Sequence, residues 1–460
     1  MSRFADYLQL DHGQPARTLH IVAPAEWPAW LAGQPARARA NVAAHGLTGS
    51  PGNKAILPGD GPEDWSAVLV CDEAVSSPWR FASMGAFLPA GAYRLAGEVG
   101  AGGLGWLLGQ YRFTRYRKAD SSGPRVLLIQ DAAGREETLR LPEATATVRD
   151  LVNTPASDCG PADLEAVAEA LAKRHTATLT VTRGDALATG YPMVHAVGIA
   201  ASKERHPRLI ELSWGDPAHP RVAIVGKGVT FDTGGLDIKP AAGMKLMKKD
   251  MGGAAHALAL AELVMAAGLP VRLHLLVPAV ENSIAGNAFR PGDVLRTRAG
   301  LTVENTNTDA EGRLILGDAL TRAGEEKPEL ILDFATLTGA ARVALGPDLP
   351  PLFCNHDGLA NALLAAGTAL GDPLWRMPLW NGYDADLKSD IADLVNAPEG
   401  GMAGAVTAAL FLRRFVPKEV AWAHLDVFAW RPAGKAGRPK GGDAFGLRAA
   451  YQVLKERYAR

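Results

Sequence analysis

A chain of 460 residues with 47% hydrophobic and 21% charged side chains can bury more than one core, so composition excludes a disordered chain and predicts two domains. A net charge of −1 without a long run of either sign leaves no electrostatic footprint for nucleic acid or an anionic membrane, so small or neutral partners are expected. Cys71, Cys159 and Cys354 are too few and too scattered for a disulfide framework or a thiolate zinc cluster.

The opening MSRFADYLQLDHGQ lacks the apolar core of a signal peptide, and no run approaches the ~18 apolar residues of a membrane span. A cytoplasmic protein is expected. Up to Leu141, short apolar runs alternate with Gly and Pro; WSAVLVCDE near 65–73 and RVLLIQDAAG near 125–134 read as strands of a modest α/β unit. GEVGAGGLGW at 97–106 reads as a turn or loop, and the apolar spacing of the following LLGQYRFTRYR predicts a helix. No chemistry is visible here, and residues 1–141 are expected to form a structural or assembly domain.

A helix through ATATVRDLV and the stop-and-restart NTPASDCGPADL make residues 142–160 a connector. From 161 to 460, strand-like LTVTRG, LIELSWG, RVAIVGKG, VRLHLLVPAV and ELILDFATLTG alternate with helical runs such as AAHALALAELVMAAG. This predicts a larger α/β domain, a central mixed sheet flanked by helices, with active residues on loops at the strand ends.

Three segments carry candidate chemistry. In VAIVGKGVTFDTGGLDIK, residues 222–239, a Walker loop fails because Arg221 and Gly228 stand where Gly and Ser/Thr are needed; a dinucleotide fingerprint fails at Phe231. Lys227, Asp232 and Lys239 remain, on a Gly-rich stretch that is either a ligand loop or a solvated surface turn. Next, Asp250 precedes Gly252–Ala255 at the start of an apolar helix, where it is either a helix cap or part of a site wall. Last, in NTNTDAEGRL, an extended chain would put Asp309, Glu311 and Arg313 on one side. Such carboxylates need a cation, which a divalent metal supplies better than Arg313 alone, although a solvated edge strand has the same spacing.

Asp232, Asp250, Asp309, Glu311 and Lys227 together make a hard, oxygen-rich set with one nitrogen, suited to two divalent ions. A lysine ligand must be neutral, which demands a depressed pKa. The eleven histidines form no HExxH pair; His256 reads as a core residue, and His424 and Asp426 as strand residues with structural hydrogen bonds. No GxSxG elbow is present.

VGKGVTFDTGGLDIK, MKKDMGGAA, NTDAEGRL and ATLTGA, in this order and spacing, resemble the leucyl aminopeptidase (cytosol aminopeptidase) family from about Val148 to the end. The resemblance implies metal-dependent removal of the N-terminal, leucine-like residue from peptides by way of a metal-bridging water. Lys227, Asp232, Asp250 and Glu311 would hold a tight metal, and Asp232, Asp309 and Glu311 a more exchangeable one; zinc or manganese is implied, with magnesium as a substitute. Lys239 would stabilise the oxyanion, and Arg313 would seat a bicarbonate acting as general base. Met247, Thr336 and Leu337 would contact substrate, Leu337 through its backbone. A homohexamer is implied.

Two alternatives stay open: a two-metal dipeptidase of narrow specificity, such as for Cys-Gly, and a catalytically silent assembly or nucleic-acid-binding relative. The stretch FAWRPAGKAGRPKGGDAFGLR within 427–447 departs from the small-residue run and GATG common in the family, and the N-terminal unit is short. A DNA-binding role is therefore not carried over.

Overall fold

The computed structural model describes residues 2–61, 64–72, 77–96, 100–118 and 123–459. The chain forms two compact units: Met1–Ala146 with Gly434–Pro439, and Thr147–Ala433 with Lys440–Arg460. The helix Ala132–Asn153 runs from the first into the second.

The first unit is built on strands β1 (Leu8–Leu10), β2 (Arg17–Val22), β3 (Lys54–Pro58), β4 (Trp65–Val70), β5 (Gly91–Ala96) and β6 (Arg125–Ile129), in the order β1-β6-β5-β2-β4-β3. All pairings are parallel except β3 with β4. Alternation along β4 sends Ala67 and Leu69 into one apolar cluster with Trp106, and Val68 and Val70 into another with Trp27 and Val42. A sheet covered on both faces follows.

The helix expected over LLGQYRFTRYR lies earlier, at Gly103–Gly109, whereas 111–118 is non-helical. Tertiary packing overrides propensity here. A β-carbon on Gly105 would stand 2.6 Å from the Pro78 carbonyl oxygen, and one on Gly109 2.3 Å from that of Ala82, so these glycines let the helix lie directly on the 78–82 backbone. Of the turn read at 97–106, residues 97–99 lie outside the described residues.

The second unit contains β7 (Thr178–Thr182), β8 (Arg208–Trp214), β9 (Arg221–Gly226), β10 (Gly228–Asp232), β11 (Arg272–Asn282), β12 (Val294–Arg296), β13 (Thr302–Glu304), β14 (Leu330–Ala335), β15 (Pro351–Cys354), β16 (Trp375–Arg376), β17 (Leu394–Val395) and β18 (Ala421–Asp426). The main sheet runs β16-β15-β18-β14-β9-β11-β8-β7, with β10 paired to β11. Its centre, β18-β14-β9-β11, is parallel, while β15 and β8 join antiparallel, which gives the mixed sheet expected. β9 is buried from Val222 to Gly226, as its unbroken apolar run requires when helices cover both faces.

The parallel strands end together. Gly226 closes β9, Asp232 β10, Asn282 β11, Ala335 β14 and Asp426 β18, so polar residues from distant sequence meet at one carboxyl edge.

Candidate metal centre

Lys227 follows the last residue of β9, and its N–H donates to the Phe334 carbonyl at 3.0 Å while its own carbonyl accepts the Ala254 N–H at 2.8 Å. The helix Gly252–Ala266 thus starts on the Lys227 backbone. Gly253 permits this, since a β-carbon there would stand 2.2 Å from the Phe334 oxygen. Asp250 is left free of capping, because the helix begins after Met251 without a side-chain cap.

Asp250 turns inward instead. Its Oδ1 accepts the Thr336 hydroxyl at 2.8 Å, and its Oδ2 lies 2.7 Å from Lys227 Nζ. The same Nζ is 2.9 Å from Glu311 Oε1 and donates to the Thr336 carbonyl at 3.2 Å. A β-carbon on Gly312 would stand 2.6 Å from Lys227 Cε, so any larger residue there would push that side chain from its present path.

The extended reading of 309–313 does not hold. Glu311 opens the helix Glu311–Glu325, and Asp309 lies in the preceding turn. Asp309 and Glu311 are brought together by a turn running into a helix, and Arg313 leaves them to donate through Nη1 to the Asn396 carbonyl at 2.7 Å. The helix start wins because this turn is clamped: the Asn307 carboxamide oxygen accepts the Asp309 N–H at 2.8 Å, and Thr308 N–H donates to Asp237 at 2.8 Å.

On the other side of the cluster Asp232 Oδ1 accepts the Gly234 N–H at 2.8 Å and the Asn282 carboxamide at 2.9 Å. Its Oδ2 lies 2.8 Å from Lys239 Nζ, which also pairs with Asp309. One oxygen each of Asp232, Asp309 and Glu311 fall within 4.8 Å of one another.

Four carboxylates therefore share Lys227 and Lys239. Burial opposes the charge on both lysines, but the surrounding acids, Asp250 foremost for Lys227 and Asp232 for Lys239, outweigh it and raise both pKa values. Burial and then the Asp232 charge push Glu311 and Asp309 upward despite the lysines, the response of acids short of positive charge. Glu311 Oε2 has no hydrogen-bond donor, and Asp250 Oδ2 and Glu311 Oε1 meet only the shared Lys227 Nζ. Buried orphan oxygens in a hard donor set fit divalent cations.

Arg313 is buried, its Nε has no acceptor, and burial lowers its pKa to about 10. Met247 is also buried, one turn before Asp250. Leu337 is half-buried on the loop after β14.

Several neighbours escaped sequence reading. Asn282 bridges Asp232 and the Thr308 carbonyl, the latter at 3.1 Å. Asn396 accepts the Thr306 N–H at 2.8 Å and donates to the Asn305 side chain at 2.9 Å and the Asn307 carbonyl at 2.7 Å. Lys249, fully buried 3.5 Å from Asp250 Oδ1, is pulled down to about 8 by burial. None carries a local signal; each counts only through partners far along the chain. His256 is satisfied in the core, as expected, by the Gly252 carbonyl and the Phe445 N–H. His424 pairs with Asp333 at 2.5 Å, whereas Asp426 orders the loop after β14.

The catalytic-domain profile of the cytosol aminopeptidase family matches residues 146–451. The chain belongs to the cytosol aminopeptidase family. An M17 aminopeptidase N-terminal-domain profile matches residues 18–128 of the same chain. A probable cytosol aminopeptidase of Syntrophotalea carbinolica is 42% identical over 370 residues, 76% of this chain and 74% of that protein. The crystal structure of the Coxiella burnetii cytosol aminopeptidase superposes with a TM-score of 0.93 at 44% identity, covering 99% of this chain and 100% of that one. The bottromycin maturation enzyme BotP in complex with Mn gives 0.86 at 32% identity, covering 98% and 100%. This member of the family is accordingly a metal-dependent aminopeptidase, a peptidase hydrolase of two-domain α/β architecture. Among the described residues no helix is long and apolar enough to cross a membrane.

Proposed function

We propose that this aminopeptidase releases an apolar, leucine-like N-terminal residue from peptides at the cluster of Lys227, Asp232, Asp250, Asp309 and Glu311. The observation that carries the reading is the convergence of Asp232, Asp309 and Glu311 oxygens beside a buried lysine and a second aspartate. Lys227, Asp232, Asp250 and Glu311 would hold one divalent ion and Asp232, Asp309 and Glu311 the other; the acids raise the Lys227 pKa instead of depressing it, so the incoming ion would have to displace the ammonium's proton before Nζ can donate to it. Asp309 is the most exposed of these, 35% at its side chain against 1% for Glu311, which makes its ion the more exchangeable. Zinc or manganese suits the donors, with magnesium as a substitute; BotP is a manganese complex. Bound there, the ions would supply Lewis acidity and lower the pKa of a water, so that its hydroxide is available to attack a peptide carbonyl.

The chain's own side chains do the rest. Lys239 holds its proton against burial and presents a fixed ammonium to the developing oxyanion. Arg313, with its Nε unpaired, would seat a small oxyanion such as bicarbonate to take the proton of the attacking water. The Leu337 N–H is engaged by Asp426, so a backbone contact from Leu337 to substrate falls to its carbonyl. Met247 and Thr336 complete the wall for the first side chain. The near-neutral charge of the chain supports peptide substrates over nucleic acid, and a homohexamer in the cytoplasm is the assembly and location we assign.

Purified protein supplied with zinc or manganese should hydrolyse leucine anilide, and a chelator should stop it. A panel of aminoacyl anilides alongside Cys-Gly tests the preference. Inactivity across all metals and substrates would refute the reading, and activity on Cys-Gly alone would replace it with a narrow dipeptidase.

A further inference from the structure

A cavity of about 160 Å³ lies within the second unit, at the amino edge of its main sheet. The six residues of β9 separate it from Lys227, a span of roughly 20 Å. Its volume suits a small ion better than an organic substrate. In register, Arg221 of β9 faces Arg272 of β11, and His274 of β11 faces Ser213 of β8. Alternation puts Arg272 and His274 on one face of the sheet, and all four residues line the cavity.

Glu326, just beyond the helix Glu311–Glu325, lines it too. Its carboxylate accepts from Arg322 at 2.8 Å and lies 3.8 Å from Arg221, whose Nη1 donates to the Glu326 carbonyl at 2.8 Å. Glu211 is shared by Arg322 at 2.9 Å, His274 Nε2 at 3.1 Å and the Tyr191 hydroxyl at 3.2 Å. Glu325 is held by both prongs of Arg298. Arg272 enters none of these pairs; its Nη1 donates to the Gly215 carbonyl at 2.8 Å, and it has no carboxylate partner among the described residues. Arg221, Arg272 and Arg322 thus meet only Glu211 and Glu326, and like charges side by side on neighbouring strands favour an anion between them.

An exposed arginine by itself needs no ligand, but a buried histidine stands beside these two. His274 is 8% exposed, and its Nδ1 is buried without a hydrogen-bond partner. A carboxylate only accepts, so Nε2 carries the ring hydrogen towards Glu211, and Nδ1 of the neutral ring is left a bare acceptor. Cations beside a bare acceptor suit an anion that also brings a hydrogen.

We propose that this cavity binds hydrogen phosphate. Its oxygens accept from Arg221 and Arg272, and its P–OH donates to His274 Nδ1. At about pH 8 sulfate and methyl phosphate carry the same double charge but no such hydrogen.

Calorimetric titration of the full-length, metal-loaded protein at about pH 8 with phosphate, sulfate and methyl phosphate tests this. Phosphate should bind saturably and the other two at least about tenfold more weakly, the value of one hydrogen bond to a charged ligand. Arg272→Gln should weaken phosphate by about tenfold or more, whereas His274→Phe, which keeps a ring in place, should erase the preference for phosphate over sulfate. Phosphate taken up at the metal cluster survives in both variants, so the binding event read is the one that differs from wild type. Peptidase activity should be unchanged in both. Absence of saturable phosphate binding at millimolar concentration, wild-type phosphate affinity in Arg272→Gln, or sulfate or methyl phosphate matching phosphate overturns the assignment.

Discussion

Asp426, the last residue of β18, accepts the Leu337 N–H at 2.9 Å and so ties the loop after β14 to the neighbouring strand. Its second oxygen takes the Thr338 hydroxyl at 2.6 Å. Asp426→Ala should loosen this loop without removing a metal donor. Hydrogen bonds to a charged group contribute about 1.5–3 kcal/mol, so kcat/KM should fall at least about tenfold, mostly through KM. Steady-state kinetics with metal analysis of the same samples checks it; loss of metal instead of substrate affinity would contradict it.

Glu311 and Asp309 should separate on titration with metal. Glu311→Gln removes a donor placed to serve both ions and should weaken both by about a hundredfold or more, whereas Asp309→Ala should weaken one. Isothermal titration of manganese into chelator-treated protein reads the two stoichiometries.

Lys239→Ala should retain both metals and KM but lose about a hundred- to a thousandfold in kcat, the cost of removing a charge donor to an oxyanion. An equal loss in KM would assign Lys239 to ground-state binding.

Gly312→Ala alters no donor atom, yet its new methyl group would meet Lys227 Cε at 2.6 Å and Nζ at 2.7 Å. We expect about 1–3 kcal/mol of destabilisation by overpacking, together with weaker metal binding because Lys227 is displaced. Denaturant melts and metal titration measure the two effects; unchanged metal affinity would show that Lys227 moves freely.

Asp318 gives a pH signature remote from the metal donors. Burial raises its pKa from 3.8 to about 7, although the Arg298, Met193 and Val194 N–H groups pull the other way. Between those values the folded chain holds a proton that the unfolded chain has released, so its contribution to stability falls as pH rises through the window. Asp318→Asn should be less stable than wild type in acid, where the native carboxyl is already neutral, and gain relative to it on the order of 2–4 kcal/mol towards pH above about 7. Chemical denaturation of both proteins across this range is the check.

The sequence by itself determined the parts and their chemistry. The apolar run of β9, the helix Gly252–Ala266 and the acidic and lysine residues near strand ends are local patterns, and local patterns report period, burial and side-chain type. Other features were decided only by contacts across the fold. Glu311 opens a helix because the turn before it is fixed by backbone N–H groups donating to the side-chain oxygens of Asn307, Asp237 and Asn396, and those partners lie up to ninety residues away. The helix at Gly103–Gly109 exists because its glycines fit the 78–82 backbone, a close approach that propensity does not record. The pairing of Lys227 with both Asp250 and Glu311 likewise depends on β9, β14 and two helix starts meeting at one sheet edge. Residue type is written locally, but the field each charge feels is set by groups that only the folded chain brings near.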